Sequence, residues 1–203
     1  MLCYYLYWGN FVTSRLNRQW YVKGRRIVGV IWITGLSGSG KTTIACGVAN
    51  SLRHSGETVV LLDGDELRKV FDADNDTVHG YGREGRLRLA MKYSHLCSVI
   101  ASQGLVVVIA TISLFREVHA WNRKYLPNYF EVYMKVPLSE LRNRDPKGIY
   151  KRFDSGELSS VAGLDLAIDE PEIPDLVIEF EAERSASIAV QEVLSEFKKR
   201  RVR

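Results

Sequence analysis

The most constraining feature of this chain is an apolar, β-branched run followed directly by a glycine-rich turn, V-G-V-I-W-I-T-G-L-S-G-S-G-K-T-T, over residues 28–43. The turn has the P-loop spacing G-x-x-x-x-G-K-[ST] at Gly35, Gly40, Lys41 and Thr42. In a P-loop the backbone N–H groups cradle phosphates, and the lysine reaches the outer phosphates. Glycine is required because a Cβ would obstruct the positive-φ turns and the close approach of the phosphates. A flexible surface loop is the alternative, but a strand before the turn and helical residues after it predict a nucleoside triphosphate site at a helix N-terminus.

Length and composition predict a single domain. With 203 residues and 46% apolar content, the chain is long enough to bury a core. The N-terminus lacks the charged and apolar regions of a signal peptide, and no apolar run reaches the length of about 18 residues that a membrane span needs. The three cysteines are odd in number and widely spaced, which suggests neither a disulfide framework nor a C-x-x-C metal site. We therefore expect a cytoplasmic protein.

The net charge of +4 is concentrated at the two ends of the chain. Residues 1–34 and 197–203 hold five Lys or Arg each and no acid, which leaves 18 basic against 24 acidic residues between them. The body therefore has no excess positive charge for phosphate-backbone contacts, and nucleic acid is not an expected partner. Residues 1–25 are rich in aromatic side chains and are predicted to be a poorly ordered or peripheral extension of a P-loop domain over residues 26–203.

Apolar runs alternate with helical patterns along the rest of the chain. Strands are predicted near 28–34, 57–63, 105–113, 129–136 and 175–180, and helices near 42–55, 83–103, 115–126, 137–145 and 185–199. This alternation predicts a three-layer α/β fold of the P-loop NTPase type, with a mainly parallel sheet and helices on both faces. Residues 72–82 read as a loop. Residues 145–167 are polar, basic and glycine-punctuated, and they are predicted to form a long mobile lid over the triphosphate site.

Two carboxylates, Asp63 and Asp65, follow the second predicted strand. Acidic groups at the carboxyl end of a strand in an open α/β sheet face the ligand crevice. The third predicted strand carries no aspartate, so an ordinary Walker-B metal ligand is absent there.

Five motifs occur together in the order and spacing of one family. They are the P-loop, D-G-D-x-x-R over 63–68, G-[FY] followed by an arginine at Gly80, Tyr81 and Arg86, I-S-x-[FY]-R over 112–116, and R-D-P-K-G-[IL]-Y-K over 144–151. Over residues 28–180 the chain resembles the adenylyl-sulfate kinase family. The resemblance implies a cytoplasmic enzyme that uses ATP and Mg²⁺ to phosphorylate the ribose 3′-hydroxyl of a small nucleotide acceptor. In the typical member the acceptor is adenylyl sulfate, and the pathway is sulfate assimilation.

Phosphoryl transfer needs in-line positioning and charge neutralisation more than covalent help. Under the resemblance, Lys41 neutralises the β- and γ-phosphates and Thr42 ligates Mg²⁺. Asp65 orients or deprotonates the acceptor hydroxyl, and Asp63 supports it or the water shell of the metal. The nucleotide-binding residues are then Gly35, Ser37, Gly38, Ser39, Gly40, Lys41, Thr42, Thr43 and Arg144.

The acceptor side is assigned in the same way. Arg68 and Arg86 hold the phosphate-like group of the acceptor, because bidentate geometry favours arginine. Lys147, with Arg144 or Arg152, closes over the nucleotides. The acceptor-binding residues are Asp63, Asp65, Arg68, Tyr81, Arg86, Leu89, Ile112, Ser113, Lys147 and Val161.

Three positions depart from the family pattern. Leu89 stands where typical members have an asparagine that contacts the acceptor, and Val161 stands where they have a phenylalanine over the acceptor adenine. The usual P-Y-E has become A-I-D over residues 167–169. Tyr81 retains the opposite aromatic face. A one-sided platform and a lost hydrogen-bonding partner favour cytidine diphosphoramidate, the acceptor of related surface-polysaccharide enzymes, as the alternative to adenylyl sulfate.

Other functions fit the sequence less well. A switch GTPase requires a guanine-reading N-K-x-D, which is missing. Gluconate- and shikimate-type kinases share the early fold without the R-D-P-K-G segment. A non-catalytic nucleotide-binding module is disfavoured by the presence of Lys41, Thr42 and Asp65. A homodimer is left open as an alternative to a monomer.

Overall fold

The computed structural model describes residues 28–71 and 82–200. The strands are β1 (Gly29–Thr34), β2 (Val59–Asp63), β3 (Val106–Thr111), β4 (Phe130–Lys135) and β5 (Leu176–Glu179). The helices are α1 (Lys41–His54), α2 (Gly64–Val70), α3 (Arg83–Ser102), α4 (Arg116–Tyr125), α5 (Leu138–Arg144), α6 (Ile149–Asp154) and α7 (Ala186–Arg200). The predicted extension over 1–25 and most of the predicted loop over 72–82 lie outside the described residues.

The five strands form one sheet in the order β2-β3-β1-β4-β5, and every neighbouring pair is parallel. Thr34 at the end of β1 is in register with Thr111 of β3, and Asp63 at the end of β2 is in register with Ala110. The carboxyl ends of these three strands therefore meet at one edge, from which the P-loop and the D-G-D segment emerge. The predicted parallel α/β sheet is confirmed.

Alternate residues of the central strand, β1, belong to two hydrophobic cores, one on each face of the sheet. Ile31 and Ile33 pack with α1 and α7, whereas Val30 and Trp32 pack with α3 and α4. All four side chains are fully buried, as expected for a strand covered on both faces. The helices thus lie on both faces, and the predicted three layers are confirmed.

The structure corrects the prediction of a long loop over residues 145–167, because this segment contains helix α6. Gly148 takes a left-handed conformation (φ 65°) just before the helix, and the Asp145 carboxylate accepts hydrogen bonds from the N–H groups of Tyr150 (3.2 Å) and Lys151 (3.0 Å). Tyr150 is buried, and its hydroxyl donates to the Ser37 carbonyl at 2.9 Å. The Tyr150 side chain thus anchors the polar segment 145–167 to the P-loop. The mobility of this segment stays a prediction.

In the described part of the chain, no helix is both long enough and apolar enough to cross a membrane.

Candidate active site

A cavity of about 940 Å³ opens at the carboxyl edge of the sheet. It is large enough for ligands of nucleotide size. Of the predicted site residues, it is lined by Ser37, Gly38, Gly40, Lys41, Thr42, Thr43, Asp63, Asp65, Arg68, Arg86, Leu89, Ile112, Ser113, Arg144, Lys147 and Val161. Gly35 and Ser39 do not line it, and Tyr81 lies outside the described residues. The fold therefore gathers most of the predicted nucleotide and acceptor residues around one space.

The P-loop has the conformation that its glycines were predicted to allow. Gly40 is left-handed (φ 92°) and directly precedes α1, which has no side-chain cap at its N-terminus. The first N–H groups of α1 therefore have no side-chain partner and can point at an anion. A Cβ on Gly35 would lie 2.7 Å from the Met134 carbonyl oxygen, so glycine at this position permits close backbone packing against β4.

Lys41 is folded back onto the P-loop. Its ammonium donates to the Leu36 carbonyl at 2.6 Å and to the Ser39 hydroxyl at 3.3 Å. Burial is the main cause that lowers the pKa of Lys41 to about 8, and the nearby Lys147 charge lowers it further. A bound triphosphate would act in the opposite direction, because an adjacent negative charge favours the ammonium form.

This pKa predicts that ATP binding is coupled to proton uptake in alkaline solution. At pH 8.5 a lysine of pKa 8 is about three-quarters neutral, and bound phosphates would restore its proton; at pH 6.5 it is already charged. We expect calorimetry in buffers of different ionisation enthalpy to show about 0.7 proton more uptake at pH 8.5 than the Lys41→Met variant shows, and no such difference at pH 6.5. Equal uptake by both proteins at pH 8.5 would contradict the prediction.

Asp63 connects the P-loop helix to the D-G-D segment. Its Oδ1 accepts the Asp65 backbone N–H at 2.9 Å and so caps α2, while its Oδ2 accepts the Thr42 hydroxyl at 2.8 Å. The hydroxyl and carboxylate form an oxygen-only pair that suits Mg²⁺. Within residues 28–71 and 82–200, no three His, Cys, Asp or Glu side chains group closely enough to hold a metal, so phosphates and water would supply most ligands of a bound Mg²⁺.

Asp65 differs from Asp63 in its contacts. Its carboxylate forms an ion pair with Lys147, which lies in the predicted lid just before α6. The pair spans the cavity from the D-G-D segment to the lid, and both side chains are more than half exposed. Both carboxylates line the cavity, but Asp65 pairs across it with Lys147, whereas the two oxygens of Asp63 accept hydrogen bonds from Thr42 and from the Asp65 N–H.

Arg144 lies between the main cavity and an adjoining cavity of about 240 Å³ that also receives Ser39. Its Nε donates to Glu140 at 2.8 Å, and its guanidinium lies 4.8 Å from the centre of the Phe180 ring. Guanidinium groups interact well with aromatic rings, so Phe180 and Glu140 together hold this side chain in the lining of both cavities.

The wall opposite the P-loop contains the two positions that depart from the family pattern. Leu89 on α3 and Val161 after α6 are 5% and 6% exposed, and both line the main cavity. Arg86, one turn before Leu89, donates from Nη2 to the Ser160 carbonyl at 2.8 Å. The Asp165 carboxylate accepts the N–H groups of Ser160 (2.7 Å) and Val161 (2.6 Å), which fixes this turn.

Several lining residues were not predicted from the sequence. Thr111 at the end of β3 shares a hydroxyl hydrogen bond of 2.8 Å with Ser113, which was predicted, and the Tyr93 hydroxyl donates to the Gly64 carbonyl at 3.0 Å. Phe115 also lines the cavity. The rule that strand ends face the crevice would have found Thr111, but no local pattern marks Tyr93, which reaches the site from the middle of a helix.

The comparisons with known proteins agree on the family. A family model described as adenylylsulphate kinase matches residues 28–179. A cytidine diphosphoramidate kinase of Campylobacter jejuni is 40% identical over 149 residues, which cover 73% of this chain and 84% of the relative. An adenylyl-sulfate kinase of Bacillus licheniformis is 36% identical over 169 residues, which cover 82% of this chain and 84% of the relative.

A solved structure agrees with this assignment. The APS kinase CysC of Mycobacterium tuberculosis, in complex with AMPPNP and APS, matches with a TM-score of 0.77 and 32% identity, covering 86% of this chain and 99% of that one. Taken with the match to the family model and the lined cavity above, this similarity means that the chain belongs to the adenylyl-sulfate kinase family and is a phosphotransferase of the P-loop kinase type.

Proposed function

We propose that this kinase transfers the γ-phosphoryl group of ATP to the ribose 3′-hydroxyl of a nucleotide acceptor, and that its preferred acceptor is cytidine diphosphoramidate. Adenylyl sulfate is the second candidate. The observation that carries the choice is the pairing of two buried apolar side chains, Leu89 and Val161, on the wall of the cavity that also receives Asp65.

The chain's own residues supply positioning and charge. The N–H groups at the start of α1 would hold the triphosphate, and Lys41 would leave the Leu36 carbonyl to contact the outer phosphates. Thr42, oriented by Asp63, would hold Mg²⁺, which when bound neutralises phosphate charge. Asp65 would accept the proton of the attacking hydroxyl once the acceptor separates it from Lys147.

The side of the cavity that carries Leu89 and Val161, here called the acceptor wall, favours an acceptor with a smaller base and fewer polar groups facing these two side chains. A polar group of adenylyl sulfate that met an amide would here meet Leu89, and an unsatisfied buried polar group costs about 1 to 3 kcal/mol. Val161 cannot stack as an aromatic ring does, and aromatic pairing contributes about 0.5 to 1.5 kcal/mol beyond area burial. Together these effects weaken adenylyl sulfate without excluding it, which is why it remains the second candidate.

The relatives support both candidates in different ways. The Campylobacter jejuni protein, at 40% identity, is named for cytidine diphosphoramidate. The Bacillus licheniformis protein, at 36% identity, is named for adenylyl sulfate, and the Mycobacterium tuberculosis structure holds APS. The two identities are close, so the proposed preference rests on the cavity wall and not on the percentage.

A competition assay tests the acceptor preference. Wild-type protein, ATP and equal amounts of the two acceptors are mixed, and both phosphorylated products are quantified by mass spectrometry. We expect the cytidine product to exceed the adenylyl product, because the two effects above weaken adenylyl sulfate by about 10-fold or more relative to a site that carries asparagine and phenylalanine. An excess of the adenylyl product would assign the protein to its second candidate function.

The double variant Leu89→Asn with Val161→Phe provides the converse test. It should raise kcat/KM for adenylyl sulfate and lower it for cytidine diphosphoramidate. Leu89→Met is the matched control, because it keeps the volume and apolarity of the side chain and should keep the wild-type preference. Melting curves identify variants that fail to fold, and in that case the wild-type competition decides alone. A folded double variant with the wild-type ratio would remove these two residues from acceptor selection.

A further inference from the structure

The Asp169 carboxylate connects the segment after α6 to helices α3 and α4 by hydrogen bonds. Its Oδ2 accepts hydrogen bonds from Nη2 of Arg83 (2.8 Å) at the start of α3 and from the backbone N–H of Arg116 (3.1 Å) at the start of α4. The Asp169 N–H in turn donates to the Leu114 carbonyl at 3.0 Å. The Arg83 hydrogen bond and the Arg116 N–H lower the pKa of Asp169, as expected for a carboxylate that accepts bonds in its charged form.

The carbonyl of the same residue is anchored to the sheet. Nε2 of His119 lies 3.2 Å from the Asp169 carbonyl oxygen, and Nδ1 lies 2.7 Å from Oε1 of Glu131 on β4. Glu131 is buried and also accepts from the Tyr129 hydroxyl (2.8 Å) and Nη2 of Arg123 (3.1 Å). Asp169 is therefore fixed to the starts of α3 and α4 through its side chain, and to Leu114 and His119 through its backbone.

The parts that Asp169 joins are parts of the acceptor wall, although Asp169 itself does not line the cavity. The two residues before it, Ala167 and Ile168, line the cavity. Arg83 lies one turn before Arg86 on α3, and its guanidinium lies 5.2 Å from the centre of the Phe115 ring, which also faces the cavity. One carboxylate thus connects the segment after α6, helix α3 and the loop between β3 and α4.

We propose that Asp169 is a positioning residue for the acceptor. Through Arg83 and the Arg116 N–H it holds the segment after α6, helix α3 and the loop between β3 and α4 at fixed distances from one another. It touches neither nucleotide, and the P-loop side of the cavity does not depend on it. Its removal therefore acts on acceptor binding and leaves ATP binding unchanged. This inference rests on the proposed assignment of that side of the cavity to the acceptor.

An isolated surface ion pair would not have this effect. Arg83 also reaches Glu117 at 3.7 Å, and Arg116 reaches Glu172 at 3.5 Å, but Glu117 and Glu172 are both more than half exposed. Exposed ion pairs of this kind contribute little to the stability of the folded chain. The Asp169 carboxylate is 28% exposed and accepts a backbone N–H as well as the guanidinium, so its contacts are the ones that hold the segment.

The test is steady-state kinetics on the full chain, in which cytidine diphosphoramidate and adenylyl sulfate are each varied at saturating ATP and ATP is varied at saturating acceptor. Asp169→Ala should raise the KM for the acceptor about 10-fold or more, because it removes the charge-assisted hydrogen bond to Arg83 together with the Arg116 N–H bond, with kcat and the KM for ATP within about 2-fold of wild type. Arg83→Ala keeps the Arg116 N–H bond and should raise the acceptor KM by a smaller factor. The double variant should be no worse than Asp169→Ala, because that substitution already removes the Arg83 contact. Glu172→Ala is the matched control and should match wild type.

The outcomes separate the two claims. Wild-type protein that phosphorylates neither nucleotide overturns the proposed function and this inference with it. If wild type is active, an unchanged acceptor KM in Asp169→Ala, an equal rise in the KM for ATP, or additive effects in the double variant overturns the inference alone. Should Asp169→Ala fail to fold, Asp169→Asn retains an oxygen for the Arg116 N–H while losing the charge that pairs with Arg83, and the same criteria apply to it.

Discussion

Replacing Asp65 with asparagine is expected to lower kcat by about 10² to 10⁴, the usual contribution of a positioned general base, while the affinity for ATP with Mg²⁺ stays close to wild type. The reason is the different use of the two carboxylates in the D-G-D segment. Both oxygens of Asp63 are occupied by Thr42 and by the cap of α2, whereas Asp65 pairs across the cavity with Lys147 from the lid. Asparagine retains the size of the side chain and removes its ability to accept the hydroxyl proton.

Asp63→Asn is the informative comparison for this substitution. An amide at residue 63 would retain one accepting oxygen but lose the charge beside the Thr42 hydroxyl, so it should weaken ATP binding in the presence of Mg²⁺ more than Asp65→Asn does. Titration calorimetry for ATP and single-turnover rates for phosphoryl transfer separate the two effects. If ATP affinity collapsed in Asp65→Asn, Asp65 would belong to the metal site, and its assignment to the acceptor would be wrong.

Lys41→Ala is expected to give a folded protein whose kcat/KM is lower by about 10² to 10³, because a preorganised charge is lost where negative charge develops in the transition state. The fold should tolerate the change. Lys41 lies in the first turn of α1, where alanine is a good helix former, and its buried ammonium is held with a lowered pKa instead of stabilising a core contact.

Lys69→Ala is the matched control for Lys41→Ala. Lys69 pairs with Glu66 at 2.9 Å on the exposed side of α2, and both side chains are largely exposed. Its loss should leave both activity and melting temperature near wild type. Activity within a few-fold of wild type in a folded Lys41→Ala protein would remove the P-loop lysine from the mechanism.

The central sheet could be predicted because its sequence signals are local. The run V-V-V-I-A-T of β3 is apolar at its first five positions, as expected of a strand covered on both faces, and all six residues are buried. The P-loop was predictable for a similar reason, since its glycine spacing, lysine and helix start lie within a few residues of one another.

The lid was less predictable because its order depends on distant contacts. Residues 149–154 combine three charged side chains with an isoleucine, a tyrosine and a phenylalanine. The helix they form depends on the cap from Asp145 and on the Tyr150 hydroxyl, which reaches the Ser37 carbonyl in the P-loop. Nothing near Tyr150 in the sequence indicates that it is buried. Helix α2 was missed in the same way, because its start depends on Asp63 acting as both strand end and cap.

The acceptor wall shows where resemblance helped and where it ended. Family spacing placed Leu89 and Val161 on the acceptor side, and the structure brings both to one cavity. The carboxylate of Asp169 was noted only as a departure from the usual P-Y-E, because its contacts with Arg83 and Arg116 join residues far apart in the chain. Long-range pairing of this kind has no periodic signal in the sequence.

The most direct test of the proposed function is a coupled ADP-release assay on purified wild-type protein with ATP, Mg²⁺ and a panel of cytidine diphosphoramidate, adenylyl sulfate, shikimate and gluconate. We expect acceptor-dependent ADP release with the two nucleotides, fastest with cytidine diphosphoramidate, and a product that ³¹P NMR shows to be phosphorylated on the ribose 3′-hydroxyl. ADP release that is driven by shikimate or gluconate, or that is independent of every acceptor, would contradict the proposed function.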